Sequence, residues 1–109
     1  MFKRLSVAVV FLLFSACSWS AEYWIDVRIP GQFYRYHLDE AVNVPLFELE
    51  TKIVNVVPSK DDVVHLYCNT GNQSSQAKLR LAQMGYQNVI DEGGLRELVE
   101  KGHKGHKGP

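Results

Sequence analysis

Residues 63–86 read VVHLYCNTGNQSSQAKLRLAQMGY and place Cys68 at the end of an apolar run, ahead of a Gly- and Ser-containing loop and a helical pattern. Asn69, Thr70, Gly71, Asn72 and Gln73 are small or polar, with a glycine where a tight loop needs positive φ. Their backbone N–H groups, together with the N-terminus of a helix capped by Ser74 or Ser75, can converge on one point and hold an anion. The same donors favour thiolate over thiol, lowering a cysteine pKa from about 8.5 and making the sulfur nucleophilic near neutral pH. Two reaction types suit a cysteine that heads an anion-cradling loop. A cysteine-dependent phosphatase grips phosphoryl oxygens with an arginine at the sixth position after the cysteine, but that position is Ser74. The other is sulfur transfer, in which a thiolate attacks a sulfane sulfur, an anion leaves and a persulfide is carried to an acceptor.

An unpaired thiol is unexpected where this chain is headed. Lys3 and Arg4 precede the apolar LSVAVVFLLFSA of residues 5–16, and the small or polar CSWSAE follows. That pattern is a secretory signal peptide over residues 1–20, cleaved before Ala21 and too short for a comfortable membrane span. The sequence FSAC offers a competing lipoprotein site at Cys17, although Phe14 fits poorly where an aliphatic residue is preferred. Cleavage before Ala21 leaves Cys68 as the single cysteine, and secreted domains normally pair theirs. An odd cysteine then reads as a reactive thiol, an intermolecular partner or a buried inert hydrophobe. Two of the twelve basic residues and none of the twelve acidic ones lie in the leader, so the mature chain is mildly acidic. This charge gives no case for nucleic acid or an anionic membrane as partner.

At 109 residues the chain suits one small domain with a single core. YWIDVR (residues 23–28) is β-prone and runs into IPGQ, a turn, while AVNVP (residues 41–45) is a short strand closed by proline. Leu46, Leu49, Ile53 and Val56 or Val57 recur at helical spacing. VVHLY predicts a buried strand, SSQAKLRLAQMG a helix ending at Gly85, YQNVID another strand and GGLRELVEKG a last short helix. Strands alternating with helices imply an α/β domain with an open, mostly parallel sheet and helices on both faces. Ligands bind such sheets outside the carboxyl ends of the strands, which puts Cys68 on the rim, not in the core.

WIDVR, HLDEAVNVP, YCNTGNQS and MGYQNVIDEGGL occur in the order expected of a rhodanese domain, and the chain resembles the small periplasmic members of that family from about Glu22 to Val99. The resemblance implies that Cys68 forms the persulfide, and that residues 68–73 form a loop of the length used for sulfur. It implies transfer from thiosulfate to a thiol or cyanide, with no metal or organic cofactor. Relatives of this kind often carry an arginine in the loop. Here Asn72 and Gln73 are neutral, so anion binding rests on backbone amides, the helix terminus and any nearby cation.

Asp26 and Arg28 end the first strand on the same rim; Arg28 could supply that charge, but bracing of neighbouring loops is the better reading. His65 reads as a hydrogen-bonded sheet residue and His37 resembles the family's structural histidine. Gly93 and Gly94 read as a turn that starts the last helix close to the sheet. The rhodanese domain is expected over residues 21–100, and the Gly-His-Lys repeats of residues 101–109 as a disordered tail with at most weak metal affinity. The expected protein is a periplasmic, monomeric sulfurtransferase whose substrates are a small anionic sulfur donor and a thiol or cyanide acceptor. The competing class is a rhodanese-like binding or sulfur-carrier module with a weakened loop. A thiol-redox protein ranks last, since the mature chain has no C-x-x-C.

Overall fold

The structure is a computed structural model that describes residues 20–109; apart from Ser20, the expected leader, including Cys17, lies outside the described residues. In chain order the elements are β1 (Glu22–Asp26), α1 (Pro30–Arg35), β2 (His37–Leu38) and β3 (Ala41–Asn43), then a 3-10 turn (Leu46–Glu48) that runs into α2 (Leu49–Val56). They continue with β4 (Val63–Cys68), α3 (Asn72–Gln83), β5 (Asn88–Gly94), α4 (Leu95–Glu100) and β6 (Gly105–His106).

Strands β1 and β4 form the centre of a four-stranded parallel sheet of order β3-β1-β4-β5, with Ile25 opposite Leu66 and Asp26 opposite Tyr67. Alternation along these strands sorts the core into two faces. Ile25, Val64 and Leu66 pack with Leu49 and Ile53 of α2 and with Ala77 and Leu81 of α3. Tyr67 and Trp24 face the other way, onto Leu38 of β2 and Leu98 of α4. Each fully buried Leu or Ile stabilises the fold by about 1.5–3 kcal/mol. The sheet is thus parallel and covered on both faces, as the alternating elements imply.

Three local expectations are corrected. IPGQ does more than turn: Pro30 opens α1, where its fixed φ and missing N–H cost nothing, and Phe33 of that helix stacks on His37 with ring centroids 3.6 Å apart. Helix α3 begins at Asn72, with Gly71 at φ 94° before it, so neither Ser74 nor Ser75 caps it. The tail expected to be disordered is ordered. Strand β6 pairs antiparallel with β2, the Lys104 carbonyl accepts from the Asp39 N–H at 3.0 Å, and the His106 ring meets Asp39 at 2.6 Å. The repeat has no apolar residue to bury, but its glycines permit close backbone approach. A Cβ at Gly105 would lie 2.3 Å from the His37 carbonyl oxygen.

Candidate active site

Strand β4 delivers Cys68 to the carboxyl edge of the sheet, where its pairing with β5 slips. Leu66 lies opposite Asp91 and Cys68 opposite Gly94, so β5 carries an extra residue, and Gly93 takes up the bulge at φ 86°. The loop from Asn69 to Gly71 folds over the thiol, leaving Cys68 1% exposed. This corrects the expected rim position: the residue is at the end of the strand, but its sulfur packs against the core beneath the loop.

Backbone N–H groups of Thr70, Gly71 and Ser74 face the sulfur. The Gly71 N–H donates to Cys68 Sγ at 3.0 Å, and the protonated thiol in turn donates to Ser74 Oγ at 3.6 Å. Burial pushes the thiol pKa up, but the backbone and hydroxyl of Ser74 and the amides of Gly71 and Thr70 outweigh it, and the net shift is downward. Gly71 supplies the positive φ that turns its N–H onto the sulfur and starts the twelve-residue α3 there, with the positive end of its dipole toward Cys68.

Asp91 is the residue that sequence reasoning missed. Its Oδ1 accepts from Ser74 Oγ at 2.7 Å and from the Gly93 N–H at 3.0 Å, so one carboxylate fixes both the Ser74 hydroxyl and the bulge. Its place in VIDEGG, at the end of a strand next to β4, was the available signal.

Asp26 and Arg28 are buried, and they brace. Arg28 donates from Nε to Asp26 Oδ1 at 3.0 Å and from Nη2 to Asp26 Oδ2 at 2.7 Å. It also donates to the Tyr36 carbonyl at 2.6 Å and, from Nη1, to Asn69 Oδ1 at 3.1 Å. Burial works against its charge, yet the hydrogen bond and charge of Asp26 raise its pKa further above an already high value. Arg28 therefore holds Asn69, the neighbour of Cys68, through a guanidinium whose donors are already engaged.

The structure thus brings Cys68, Asn69, Thr70, Gly71 and Ser74 together and anchors them on Asp26, Arg28 and Asp91. Asn72 is exposed and accepts from Gln76 Nε2 at 3.4 Å; neither its side chain nor that of Gln73 makes a hydrogen bond to the sulfur. His65 and His37 belong to the scaffold. His65 stacks on Trp24 at 4.4 Å between Glu22 and Glu92, and the His37 ring bonds the Phe33 carbonyl at 2.7 Å. Among the described residues no group of His, Cys, Asp and Glu side chains is arranged to hold a metal ion.

A family model described as a Rhodanese-like domain matches residues 14–101. The chain is 45% identical over 105 residues to the thiosulfate sulfurtransferase PspE of Escherichia coli (strain K12), an alignment that covers 96% of this chain and 100% of that protein. The fold matches that of a rhodanese with anions from E. coli at 45% identity and TM-score 0.75, over 81% of this chain and 100% of that one. It also matches a thiosulfate sulfurtransferase from Pseudomonas aeruginosa at 29% identity and TM-score 0.77, over 82% of this chain and 17% of that one.

Proposed function

The chain belongs to the rhodanese-like family, and from that premise we propose that it is a periplasmic thiosulfate sulfurtransferase, exported by its leader, with Cys68 as the persulfide-forming nucleophile. The observation that carries this reading is the Cys68 sulfur held under the Gly71 amide with its pKa lowered. The Cys68 thiolate attacks the outer sulfur of thiosulfate; a sulfur–sulfur bond forms at Sγ, the bond to the sulfonate sulfur breaks, and sulfite leaves with that electron pair. Cyanide or a thiol then attacks the outer sulfur of the persulfide, and Cys68 departs as thiolate. Sulfur moves between nucleophiles without net oxidation of the protein, so the reaction as written calls for no cofactor and no general base. Asn69, Thr70, Gly71, Asn72, Gln73 and Ser74 form the donor-binding loop, in which backbone N–H groups and the α3 terminus stabilise the anion. Asp26, Arg28 and Asp91 position that loop. The same reading takes the protein as a monomer.

Intact mass of the mature protein before and after thiosulfate tests the reading. A gain of one sulfur, about 32 Da, that is absent in Cys68→Ser and removed by cyanide as thiocyanate supports it. A reduced, alkylatable thiol that gains no sulfur from any sulfane donor refutes it and favours the binding-module reading, to which the neutral Asn72 and Gln73 already point. The starting mass also separates cleavage before Ala21 from lipidation at Cys17.

A further inference from the structure

Asp91 of β5 reaches the Cys68 sulfur through one atom. Ser74 Oγ lies 2.7 Å from Asp91 Oδ1, 3.2 Å from the Gly71 carbonyl oxygen and 3.6 Å from Cys68 Sγ. The hydroxyl has a single proton for these three acceptors. Ser74 is fully buried, so water does not compete, and the short bond to a carboxylate holds the proton, because charge-assisted hydrogen bonds are the stronger kind. The oxygen then turns a lone pair toward the sulfur, which suits a thiol that donates and opposes a thiolate. No cation pairs with Asp91 among the described residues, so its charge acts in the same direction. The other charged groups around the loop are engaged or screened. Residues 72–77 of α3 carry no ionisable side chain, and Asp26 and Arg28 reach the loop as a neutralised pair through Asn69. Glu92 pairs with His65, and Tyr67 packs on the opposite face of the sheet with Leu38 and Leu98. Arg96, Glu97 and Glu100 of α4 are exposed to water.

We propose that Asp91 is a positioning residue for the nucleophile: through the Ser74 hydroxyl it favours Cys68 as the thiol at rest, and it yields the hydroxyl proton to the sulfur when the thiolate forms. The inference rests on the sulfurtransferase reading only for what that thiolate attacks. When Cys68 loses its proton to solvent, the Ser74 O–H turns from Asp91 Oδ1 to Sγ. No covalent bond changes at Ser74, and Asp91 keeps the Gly93 N–H at 3.0 Å. The same turn accompanies discharge of the persulfide, in which Cys68 departs as thiolate. The loop amides still lower the thiol pKa, and Asp91 limits how far it falls. A resting thiol also resists oxidation, which proceeds from the thiolate.

The test is the pH dependence of iodoacetamide alkylation of reduced Cys68. It involves no sulfur donor, so its outcome is independent of whether a persulfide forms. Asp91→Asn keeps an acceptor oxygen for Ser74 and Gly93 but removes the charge. Its alkylation midpoint is expected to fall by about one pH unit, which makes alkylation about ten-fold faster below the midpoint. In a Ser74→Ala background the same substitution should move the midpoint by less than about half as much, because the two residues act as a coupled pair. An unchanged or raised midpoint in Asp91→Asn overturns the inference. An equal fall in both backgrounds overturns it too, since Asp91 would then act as a bare charge and not through Ser74. If Asp91→Asn does not fold, the wild-type protein carries the test through the carboxyl carbon resonance of Asp91 in protein labelled at aspartate. That resonance should move through the Cys68 midpoint and move less in Ser74→Ala; a resonance flat through the midpoint, or one that moves equally in both proteins, overturns the inference.

Discussion

Gly94→Ala tests how tightly the fold holds the nucleophile's loop. Gly94 has φ −101° and ψ 150°, a conformation open to alanine, so any effect comes from contact rather than backbone strain. The added Cβ would lie 2.4 Å from the Asn69 carbonyl oxygen and 2.9 Å from Glu97 Oε1. Glu97 can swing its carboxylate away. Asn69 cannot yield easily, because Arg28 grips its side chain at 3.1 Å and is itself fixed on Asp26 and the Tyr36 carbonyl. Reaching ordinary contact at 3.4 Å requires about 1 Å of movement in the residue bonded to Cys68. Overpacking of this kind costs about 1–3 kcal/mol. Reduced freedom of the unfolded chain returns about 0.4–1 kcal/mol. The net loss of about 1–2 kcal/mol lowers Tm by roughly 5–15 °C in a domain of this size. A 1 Å misplacement at the reacting group is expected to lower kcat/KM for thiosulfate by about 100-fold. Thermal unfolding and the thiocyanate assay read the two effects, with Gly31→Ala as control, since nothing lies within 4 Å of a Cβ built there. A Gly94→Ala protein with wild-type Tm and a rate within three-fold of wild type would refute the close-approach argument.

Ser74→Ala removes a hydroxyl whose proton can turn from Asp91 to the thiolate, so the pH midpoint of Cys68 alkylation by iodoacetamide should rise; an unchanged midpoint leaves the backbone amides alone responsible. Arg28→Gln breaks a buried ion pair and strands Asp26, and urea unfolding should show a loss of about 3–5 kcal/mol; a loss below about 1 kcal/mol would contradict the bracing role. Asn72→Arg places a cation at the loop, and its KM for thiosulfate should fall about five-fold with a steeper salt dependence than wild type; a KM equal to that of wild type at low salt would count against amide-only binding. The pKa of His65 is raised: burial lowers it, but the hydrogen bonds and charges of Glu22 and Glu92 outweigh that. Its stabilising contribution is therefore complete below about pH 6.5, the unfolded value, and is lost as pH rises through the raised folded pKa. The Tm gap between wild type and His65→Gln should narrow over that window, and a gap independent of pH would refute the assignment.

Much of this arrangement is legible in the sequence because it rests on short-range rules. Alternation in VVHLYC and WID sets two strands and their buried faces, and a glycine three residues after the cysteine marks the turn that aims an N–H at the sulfur. What stays hidden depends on contacts across the chain. Local signals in PGQFYR are weak: Pro30 suits a helix start, but only Phe33 of the six residues is buried, and it stacks on the His37 ring. The tail GHKGHKGP reads as disordered by composition, and its order comes from backbone pairing with residues 37–39 and from His103 packing on Trp24. The Asp91–Ser74 bond spans seventeen residues and needs the register of β4 against β5 before it can be seen.

The distribution of charge explains how a loop without arginine can still serve an anion. Arg28, which hydrogen-bonds the loop at Asn69, directs its other donors to Asp26 and Tyr36 and is therefore committed to geometry. Thiolate stabilisation is left to dipoles, namely the Gly71 and Thr70 amides, Ser74 and the α3 terminus. Dipoles aimed at one point stabilise charge there but attract an ion from afar far less than a net charge does. The arrangement consequently favours a reactive thiolate over tight capture of thiosulfate.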